Sequence, residues 1–256
     1  MKGNELACFA ITMREEGGAE WSRTRADPGN WTGNKVGIGK LLGTKWGVSA
    51  PVAARHGLVP ETLTEQQALT VFYLPEYWDA VWADVLPLGV DLVVTDDAYN
   101  AGPANANKLF KKVALGSSID DQISRFSALR LSFLQGLKTW KTFGRGWGVR
   151  VARVEADAHR MAKTPVARVE AHAATAQAAS AKAVKTAVAA PVVAAGASAG
   201  AVQQQAVAGL PPSIAIAILA AIAVVVAVAV AITVWKARGQ AQRAEALSAL
   251  AKEITP

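Results

Sequence analysis

Acidic residues near the N-terminus have the types and spacing that hydrolysis of a glycosidic bond requires. This reaction needs one carboxylic acid that stays protonated near neutral pH, and a second group that stabilises positive charge at the sugar carbon or activates water. Glu15 and Glu16 follow a short apolar stretch, and Asp27 opens a turn-rich segment that ends at Thr32. An aspartate there could support charge and a threonine hydroxyl could hold water. The spacing by itself is more often that of ordinary surface carboxylates.

The first predicted helix separates the two adjacent glutamates. Four apolar residues recur at helical spacing before a Gly17-Gly18 stop: Leu6, Phe9, Ala10 and Met13. At about 100° per residue, Glu16 lies roughly 20° from Phe9, whereas Glu15 points about 100° further away. Because desolvation disfavours the charged form of a carboxyl group, this geometry predicts Glu16 as the acid and Glu15 as a solvated neighbour.

The elements that position these residues are predicted to be mainly α-helical. Residues 19 to 50 are rich in Gly, Asn, Trp and Thr, which indicates a small irregular or β lobe. Thr64 and Gln67 form a capping-box pattern that opens a helix, and Pro75 is expected to end it. A further helix is predicted by five apolar residues that fall on one helical face: Ile123, Phe126, Phe133, Leu134 and Leu137. The fold class is therefore mainly α with a small irregular lobe.

The charge of the chain is unevenly distributed along its 256 residues. Residues 1–157 carry 18 Lys or Arg against 17 Asp or Glu, so most of the net charge of +7 lies beyond them. A near-neutral N-terminal region argues against nucleic-acid binding, which needs a concentrated basic face. Cys8 is the only cysteine, so no internal disulfide can form and the core alone must hold the fold.

Composition changes twice in the second half of the chain. Residues 158–212 are dominated by alanine and contain no aromatic residue, which indicates a partly helical linker or stalk. Residues 213–235 are uncharged and long enough to cross a hydrocarbon core of about 30 Å, so they predict one transmembrane helix. A basic tail, residues 236–256, follows it.

The charges around this segment give an expectation for topology. Residues 186–212 carry no charge, whereas Lys236, Arg238 and Arg243 follow the predicted span. The positive-inside rule then places the tail in the cytoplasm and the preceding region outside. The N-terminus lacks the continuous apolar region of a secretory signal, so this export would be unusual. Topology in the bacterial inner membrane is therefore left open.

Five ordered segments resemble glycoside hydrolase family 108, a lysozyme-like family of phage lysis enzymes and bacterial muramidases. They cover almost all of residues 5–155. The matching segments are REEGG at 14–18, DPGNWTGNKVGIGKLLGTKWGVS at 27–49, YLPEYWDAVWADVLPLGVDL at 73–92, DDAYNAGPANANKLF at 96–110 and TWKTFGRGWGVRV at 139–151. One position departs from the family, because Ala19 follows Gly-Gly where an aromatic residue is usual.

The resemblance implies an N-acetylmuramidase that cleaves peptidoglycan glycan strands without a cofactor. Glu16 occupies the glutamate of the family's Glu-Gly-Gly motif, and Asp27 and Thr32 match its Asp-x4-Thr element. Residues 1–94 are then the catalytic region, and residues 95–157 a companion peptidoglycan-binding region packed on it. The alternatives are a lytic transglycosylase, which also uses one glutamate on a lysozyme fold, and a membrane-tethered binding module without activity.

Candidate saccharide contacts lie in both regions. Trp21 and Trp31 could stack on sugar rings, although tryptophans also fill cores. Asp96 and Asn100 are four residues apart and would share one helix face, where they could line a saccharide groove or buttress a helix end. No metal site is expected, because the histidines have no Cys or carboxylate partner at ligand spacing.

Overall fold

A computed structural model describes residues 3–113, 116–197 and 212–255 of the chain. It divides into two compact units. The first unit comprises Met1–Arg130 and Asp157–Thr164, and the second comprises Leu131–Ala156 and Pro165–Pro256.

The first unit is built from short and medium helices. Seven α-helices lie wholly or partly in it: α1 (Glu5–Glu15), α2 (Ala50–Arg55), α3 (Glu65–Gln67), α4 (Val90–Ala101), α5 (Pro103–Phe110), α6 (Ile119–Gln135) and α7 (Trp140–Met161). Shorter 3-10 turns connect them: Pro28–Asn30, Pro60–Thr62, Asp79–Val81 and Ala83–Val85. Helices α6 and α7 continue into the second unit. The mainly α fold class is confirmed.

Helix α1 buries a different face from the one that the sequence predicted. Cys8, Phe9, Thr12 and Met13 are buried, whereas the side chain of Leu6 is 56% exposed. Burial raises the pKa of the Cys8 thiol. The buried face therefore combines the Phe9–Met13 row with the neighbouring Cys8–Thr12 row, so the predicted stripe was partly wrong.

The end of helix α1 follows the prediction. Gly17 and Gly18 both have positive φ, at +87° and +71°. The Gly18 N–H donates to the Met13 carbonyl at 2.7 Å, which closes the last turn as a glycine C-cap does. The Gly-Gly pair therefore stops the helix and reverses the chain directly after Glu16.

A small lobe follows helix α1. Strands β1 (Thr44–Lys45) and β2 (Val48–Ser49) pair antiparallel, and isolated bridges join Ser22 to Thr44 and Trp31 to Leu41. The buried Asn30 organises the lobe, because its side chain donates to the Thr24 carbonyl and accepts from the Thr44 hydroxyl. Its own carbonyl also accepts from two backbone N–H groups. The predicted irregular lobe is therefore present and is held by one asparagine.

The helix after the lobe begins as predicted but does not end as predicted. Thr64 and Gln67 form a complete capping box at the start of α3. Helix α3 then continues into a π-helix, Ala68–Trp78, which contains Pro75 in its interior. The expectation that Pro75 ends this helix was wrong. The wider π turn accommodates the missing proline N–H, and Phe72, Tyr73 and Trp78 pack into the core beside it.

Two long helices dominate the second unit. Helix α8 (Val166–Ala197) lies in the Ala-rich segment, and helix α9 (Pro212–Ile254) contains the predicted span. They pack against each other: Val169 and Ala173 of α8 form a buried cluster with Leu247 and Leu250 of α9. The residues 198–211 of the predicted linker lie outside the described part of the chain. Alanine side chains thus leave room for two helices to approach closely.

Helix α9 is long and apolar enough to cross a membrane, by length and composition. It does not end with the apolar segment. The helix continues through the basic tail to Ile254, and the tail packs within the second unit. The boundaries predicted from composition at residues 94, 157, 212 and 235 remain a prediction of domain organisation.

A buried ion pair fixes the basic tail to helix α7. The Arg243 guanidinium donates to both carboxylate oxygens of Glu155 at 2.5 and 2.6 Å. The Glu155 side chain is fully buried and that of Arg243 is 6% exposed. This part of the basic tail is therefore buried. A two-pronged pair of this kind fixes orientation as well as distance.

Candidate active site

Glu16 is the first residue after helix α1 and is exposed to solvent. Its N–H donates to the Met13 carbonyl at 3.1 Å, so its backbone is anchored while its side chain reaches beyond the helix. The charge of the Glu16 carboxylate affects the pKa of Tyr77. Burial raises the pKa of the Tyr77 hydroxyl, and the negative charges of Glu76 and Glu16 raise it further. The Tyr77 hydroxyl therefore lies close enough to Glu16 for the two groups to interact electrostatically.

The predicted solvation of the two adjacent glutamates was reversed. The Glu15 side chain is 2% exposed and forms an ion pair with Arg14 at 2.9 Å, whereas Glu16 is exposed. Arg14 also donates to Asp157 at 2.7 Å. Glu15 lies seven residues after Cys8 and three after Thr12, so it follows a buried row of the helix. The exposed Leu6 misled the sequence argument about which row faces the core.

Tyr77 is part of the lining of a small pocket of about 30 Å³. Eleven residues line it: Phe9, Trp46, Gly47, Val48, Val52, Ala68, Phe72, Tyr73, Glu76, Tyr77 and Tyr99. The rings of Tyr77 and Tyr99 lie 4.6 Å apart, and the Tyr99 hydroxyl donates to the Trp46 carbonyl at 3.1 Å. The wall is therefore aromatic, with hydroxyl groups and the Glu76 carboxylate among the rings.

Glu76 and Tyr77 were not among the predicted site residues. Both lie on the π-helix, in the segment YLPEYW that matches family 108. The Glu76 side chain is 35% exposed and its carboxylate lies 4.0 Å from His56 Nε2. Only the family match could have pointed to them, because Glu-Tyr in a helix is no motif. The π-helix lets successive residues Glu76 and Tyr77 both line one pocket.

Trp46 has an unusual conformation at the junction of the lobe and the pocket. Its φ is +53°, a left-handed value that a bulky residue rarely adopts. Its ring lies 6.1 Å from that of Phe9 on helix α1. Gly47, which follows, also has positive φ, and a side chain there would collide with the Tyr99 hydroxyl. The tight turn thus brings the lobe backbone against helix α4.

Asp27 and Thr32 both lie on the small lobe and both hold its backbone. Asp27 is exposed, and its Oδ1 accepts from the Gly29 N–H at 2.8 Å, which caps the turn Pro28–Asn30. The half-buried Thr32 accepts from the Lys40 N–H at 2.9 Å through its hydroxyl oxygen. Each side chain has a further polar group that could bond a ligand. These groups are the second carboxylate oxygen of Asp27, which can accept, and the hydroxyl proton of Thr32, which can be donated.

Trp21 and Trp31 are half-buried in the lobe and oriented by their indole N–H groups. Trp21 Nε1 donates to the Leu42 carbonyl at 3.1 Å, and Trp31 Nε1 donates to the Arg25 carbonyl at 2.9 Å. The Arg23 guanidinium lies over the Trp21 ring, 5.7 Å from its centre. Both rings are thus fixed in direction with part of their surface accessible, and sugar stacking stays a prediction for them.

Asp96 has the buttressing role that its spacing left open. Its side chain is fully buried, and it accepts from Arg130 Nη1 at 2.6 Å. Asp97 lies 3.0 Å from Nε of the same guanidinium, and the exposed Asn100 accepts from its other terminal nitrogen at 3.3 Å. The prediction that Asp96 lines a saccharide groove does not fit this burial. Asn100 alone of that pair is accessible.

The buttressing role of Asp96 predicts a stability defect rather than a binding defect. Asp96→Asn keeps the shape but removes a charge that faces the buried Arg130, so the free energy of unfolding should fall by about 1–3 kcal/mol. The rate of cleavage per folded molecule and the substrate KM should stay close to wild type. Asn100→Ala is the control, because it changes an exposed residue that contacts the same arginine. A large rise in KM for folded Asp96→Asn protein would restore the groove assignment.

The histidines singled out in the sequence have ordinary partners. His159 is buried, with Nε2 3.0 Å from the Ser124 hydroxyl and Nδ1 3.1 Å from the Thr164 hydroxyl. His56 packs edge-on against Phe72, with ring centres 4.9 Å apart. Both ring nitrogens of His159 are therefore engaged in holding helix α6 and the end of helix α7.

The first unit thus combines a helical core, a small lobe and a glutamate at the end of its first helix. A family model described as Glycosyl hydrolase 108 matches residues 9–102, which include Glu16 and the pocket. The solved structure of Brucella abortus SagA is 30% identical, with 63% of this chain and 97% of SagA aligned and a TM-score of 0.49. The chain belongs to glycoside hydrolase family 108. A comparison with curated proteins gives no match.

Proposed function

We propose that this glycoside hydrolase is an N-acetylmuramidase, with Glu16 as the general acid. The substrate is the bond between N-acetylmuramic acid and N-acetylglucosamine in peptidoglycan. The observation that carries the proposal is the Glu16 carboxylate, exposed at the end of helix α1 beside Tyr77, at the glutamate of the family's Glu-Gly-Gly motif. Because the Glu16 carboxyl group is exposed in the free enzyme, the bound saccharide must exclude water from it. We propose that the saccharide covers this carboxyl group when it binds.

The proposed reaction begins when Glu16 donates its proton to the glycosidic oxygen. The carbon–oxygen bond then breaks, and positive charge develops at the sugar carbon. Asp27 stabilises this charge, the Thr32 hydroxyl positions the water that attacks, and the proton that this water loses passes to one of the two carboxylates, which balances the proton that Glu16 donated. The local bonds of both side chains support these roles, because they hold the lobe backbone that carries them. Tyr77 donates a hydrogen bond to a sugar oxygen beside the acid.

The proposed saccharide contacts lie on the lobe and on helix α4. Trp21 and Trp31 offer ring faces whose direction is set by their indole hydrogen bonds. An aromatic face suits the apolar face of a pyranose ring. Asn100 is exposed at the end of helix α4 and can bond sugar hydroxyls. Residues 95–157 are proposed as the companion region that holds the glycan strand.

Product mass distinguishes hydrolysis from the transglycosylase alternative. A muramidase adds water and releases reducing N-acetylmuramic acid ends, whereas a lytic transglycosylase closes an anhydro ring, so the products differ by one water. Mass spectrometry of digested purified peptidoglycan should give only hydrated products. Anhydro products would assign the chain to the transglycosylases. Absence of any product from folded protein would favour the binding module that has lost activity.

We also propose that helix α9 anchors the enzyme in the bacterial inner membrane. Residues 213–235 contain no charge, and each buried Leu, Ile or Val contributes about 0.3–0.6 kcal/mol to insertion. The full-length chain should therefore stay with membranes after an alkaline carbonate wash, and a fragment that ends at Pro212 should not. Recovery of the full-length chain in the wash supernatant would contradict the anchor and leave a peripheral basic surface.

A further inference from the structure

The pocket that Tyr77 helps to line is too small for a sugar ring. Its volume is about 30 Å³, whereas a site that takes a whole small molecule commonly has about 300–1,000 Å³. About 10–15 Å³ is already enough to hold one water molecule. A glycan that covers this pocket can therefore place only one small substituent inside it.

One part of the pocket lining is apolar. The side chains of Phe9, Ala68 and Phe72 are at most 2% exposed, and Val48 and Val52 lie beside them in the lining. A hydroxyl or ammonium group placed against these side chains would lose its water without gaining a hydrogen bond, whereas a methyl group would gain from burial. This part of the pocket therefore favours a methyl group.

Trp46 supplies a hydrogen-bond donor to the pocket. It belongs to the lining, and its buried Nε1 has no hydrogen-bond partner among the residues that the structure describes. The backbone of the same residue has the left-handed φ of +53°. An unpaired buried donor and a left-handed tryptophan both cost stability, and such costs concentrate at binding sites. The indole N–H can therefore serve a carbonyl oxygen of a ligand.

Glu76 supplies the complementary acceptor. It belongs to the same lining, and its side chain is 35% exposed. Its carboxylate lies 4.0 Å from His56 Nε2, which is longer than a hydrogen bond. An ionised carboxylate accepts hydrogen bonds, so a ligand N–H finds an acceptor here. The donor, the acceptor and the apolar lining together match a secondary amide that ends in a methyl group.

We propose that this pocket binds the N-acetyl group of a peptidoglycan sugar and makes the enzyme selective for N-acetylated glycan strands. The methyl group packs on the apolar lining, the acetamido carbonyl accepts from the Trp46 indole, and the acetamido N–H donates to Glu76. Tyr77 connects the pocket with the acid, because it belongs to the lining and the charge of Glu16 raises its pKa. The inference rests on the proposed function, which makes peptidoglycan the substrate.

Binding of glycan strands with different acyl groups tests the pocket. Soluble strands are deacetylated and then re-acylated, so that the acetyl, glycolyl and propionyl forms are all uncharged amides and differ only in the acyl group. The full-length Glu16→Gln chain should bind the acetyl form about 10-fold more tightly than either other form, because one added hydroxyl or methylene is costly in a closed pocket. Equal Kd values for the three forms would overturn the proposal.

Three variants in the same background locate the selectivity. Val52→Ala enlarges the pocket and should bind the propionyl form at least as tightly as the acetyl form. Trp46→Phe removes the indole N–H and should raise the Kd of the acetyl form about 10-fold. Trp82→Phe is the matched control, because Trp82 also has a left-handed φ, +57°, but is 74% exposed and outside the lining. Its Kd values should not change.

Failure of the pocket and failure of the proposed function give different results. Unchanged selectivity in both Val52→Ala and Trp46→Phe would overturn the pocket, as would equal kcat/KM of the wild-type chain for the three acyl forms. Selective binding of the acetyl form without any cleavage by the wild-type chain would instead contradict the muramidase and support the pocket. Circular dichroism shows whether each variant is folded.

Discussion

Glu16→Gln is expected to lower the rate of peptidoglycan cleavage by about 100-fold or more while the fold stays intact. The amide has the shape of the carboxyl group but cannot donate a proton to the glycosidic oxygen. Because Glu16 is exposed at the end of helix α1, the change leaves no buried group without a partner. Turbidity loss of cell-wall suspensions measures the rate, and circular dichroism measures the fold.

Glu15→Gln is the matched control for this experiment, because the same chemical change falls on the adjacent residue. The Glu15 side chain is only 2% exposed and pairs with Arg14, so its variant should lose about 1 kcal/mol of unfolding free energy. Its cleavage rate should stay within a few-fold of wild type. Two results would contradict the assignment: cleavage by Glu16→Gln at the wild-type rate, or a larger loss of rate in Glu15→Gln than in Glu16→Gln.

A Tyr77 variant separates substrate binding from proton donation in the same assay. Burial and the two neighbouring carboxylates raise the pKa of the Tyr77 hydroxyl, and we propose that this hydroxyl donates a hydrogen bond to the saccharide. A Tyr77 variant without the hydroxyl group should lose the proposed contact with the substrate but keep Glu16 as the acid. The rate profile of Glu16→Gln, by contrast, should show loss in kcat, because proton donation occurs only in the transition state.

Arg243→Met is expected to lower the free energy of unfolding by about 3–5 kcal/mol. The substitution removes the guanidinium that donates to both oxygens of Glu155, and it leaves that carboxylate buried without its cationic partner. Water cannot replace the partner at a fully buried position. Denaturant unfolding of the full-length chain in detergent measures the loss, and amide hydrogen exchange of residues 236–254 reports whether the end of helix α9 opens first.

Two controls separate the ion pair from a general effect of charge. Lys252→Met removes an exposed cation from the same helix and should change stability by less than about 0.5 kcal/mol. The double variant Arg243→Met with Glu155→Leu removes both charges and should recover most of the loss, because no buried charge remains. A loss of less than about 1 kcal/mol in Arg243→Met would mean that the tail is not held at this position.

The buried ion pair of Glu155 and Arg243 helps to explain why the Ala-rich half of the chain has a definite arrangement. Alanine supplies little volume for a core, and the cluster of Val169 with Leu247 and Leu250 is small. Glu155 and Arg243 add a directional contact across this packing. In the first unit, Arg130 plays the same part between helices α4 and α6, with two buried carboxylates around one guanidinium.

The sequence by itself determined the features that depend on neighbouring residues. The glycines after Glu16 end helix α1 because only glycine adopts positive φ without strain, and Thr64 caps its helix through a residue three positions away. The apolar helix α9 follows from the length of an uncharged run. The ordered motifs around Glu16 indicated the family. Each of these features is readable within a window of a few residues or one continuous segment.

Tertiary structure decided which side chains are buried and which are paired. Glu15 became buried because the row of Cys8 and Thr12 faces the core, which the periodicity of helix α1 did not reveal. The partners of Arg130 and Arg243 lie 34 and 88 residues away in sequence. Such pairs form only when the packing of apolar faces has brought distant helices together, and a charge in the sequence looks the same whether it will be solvated or buried.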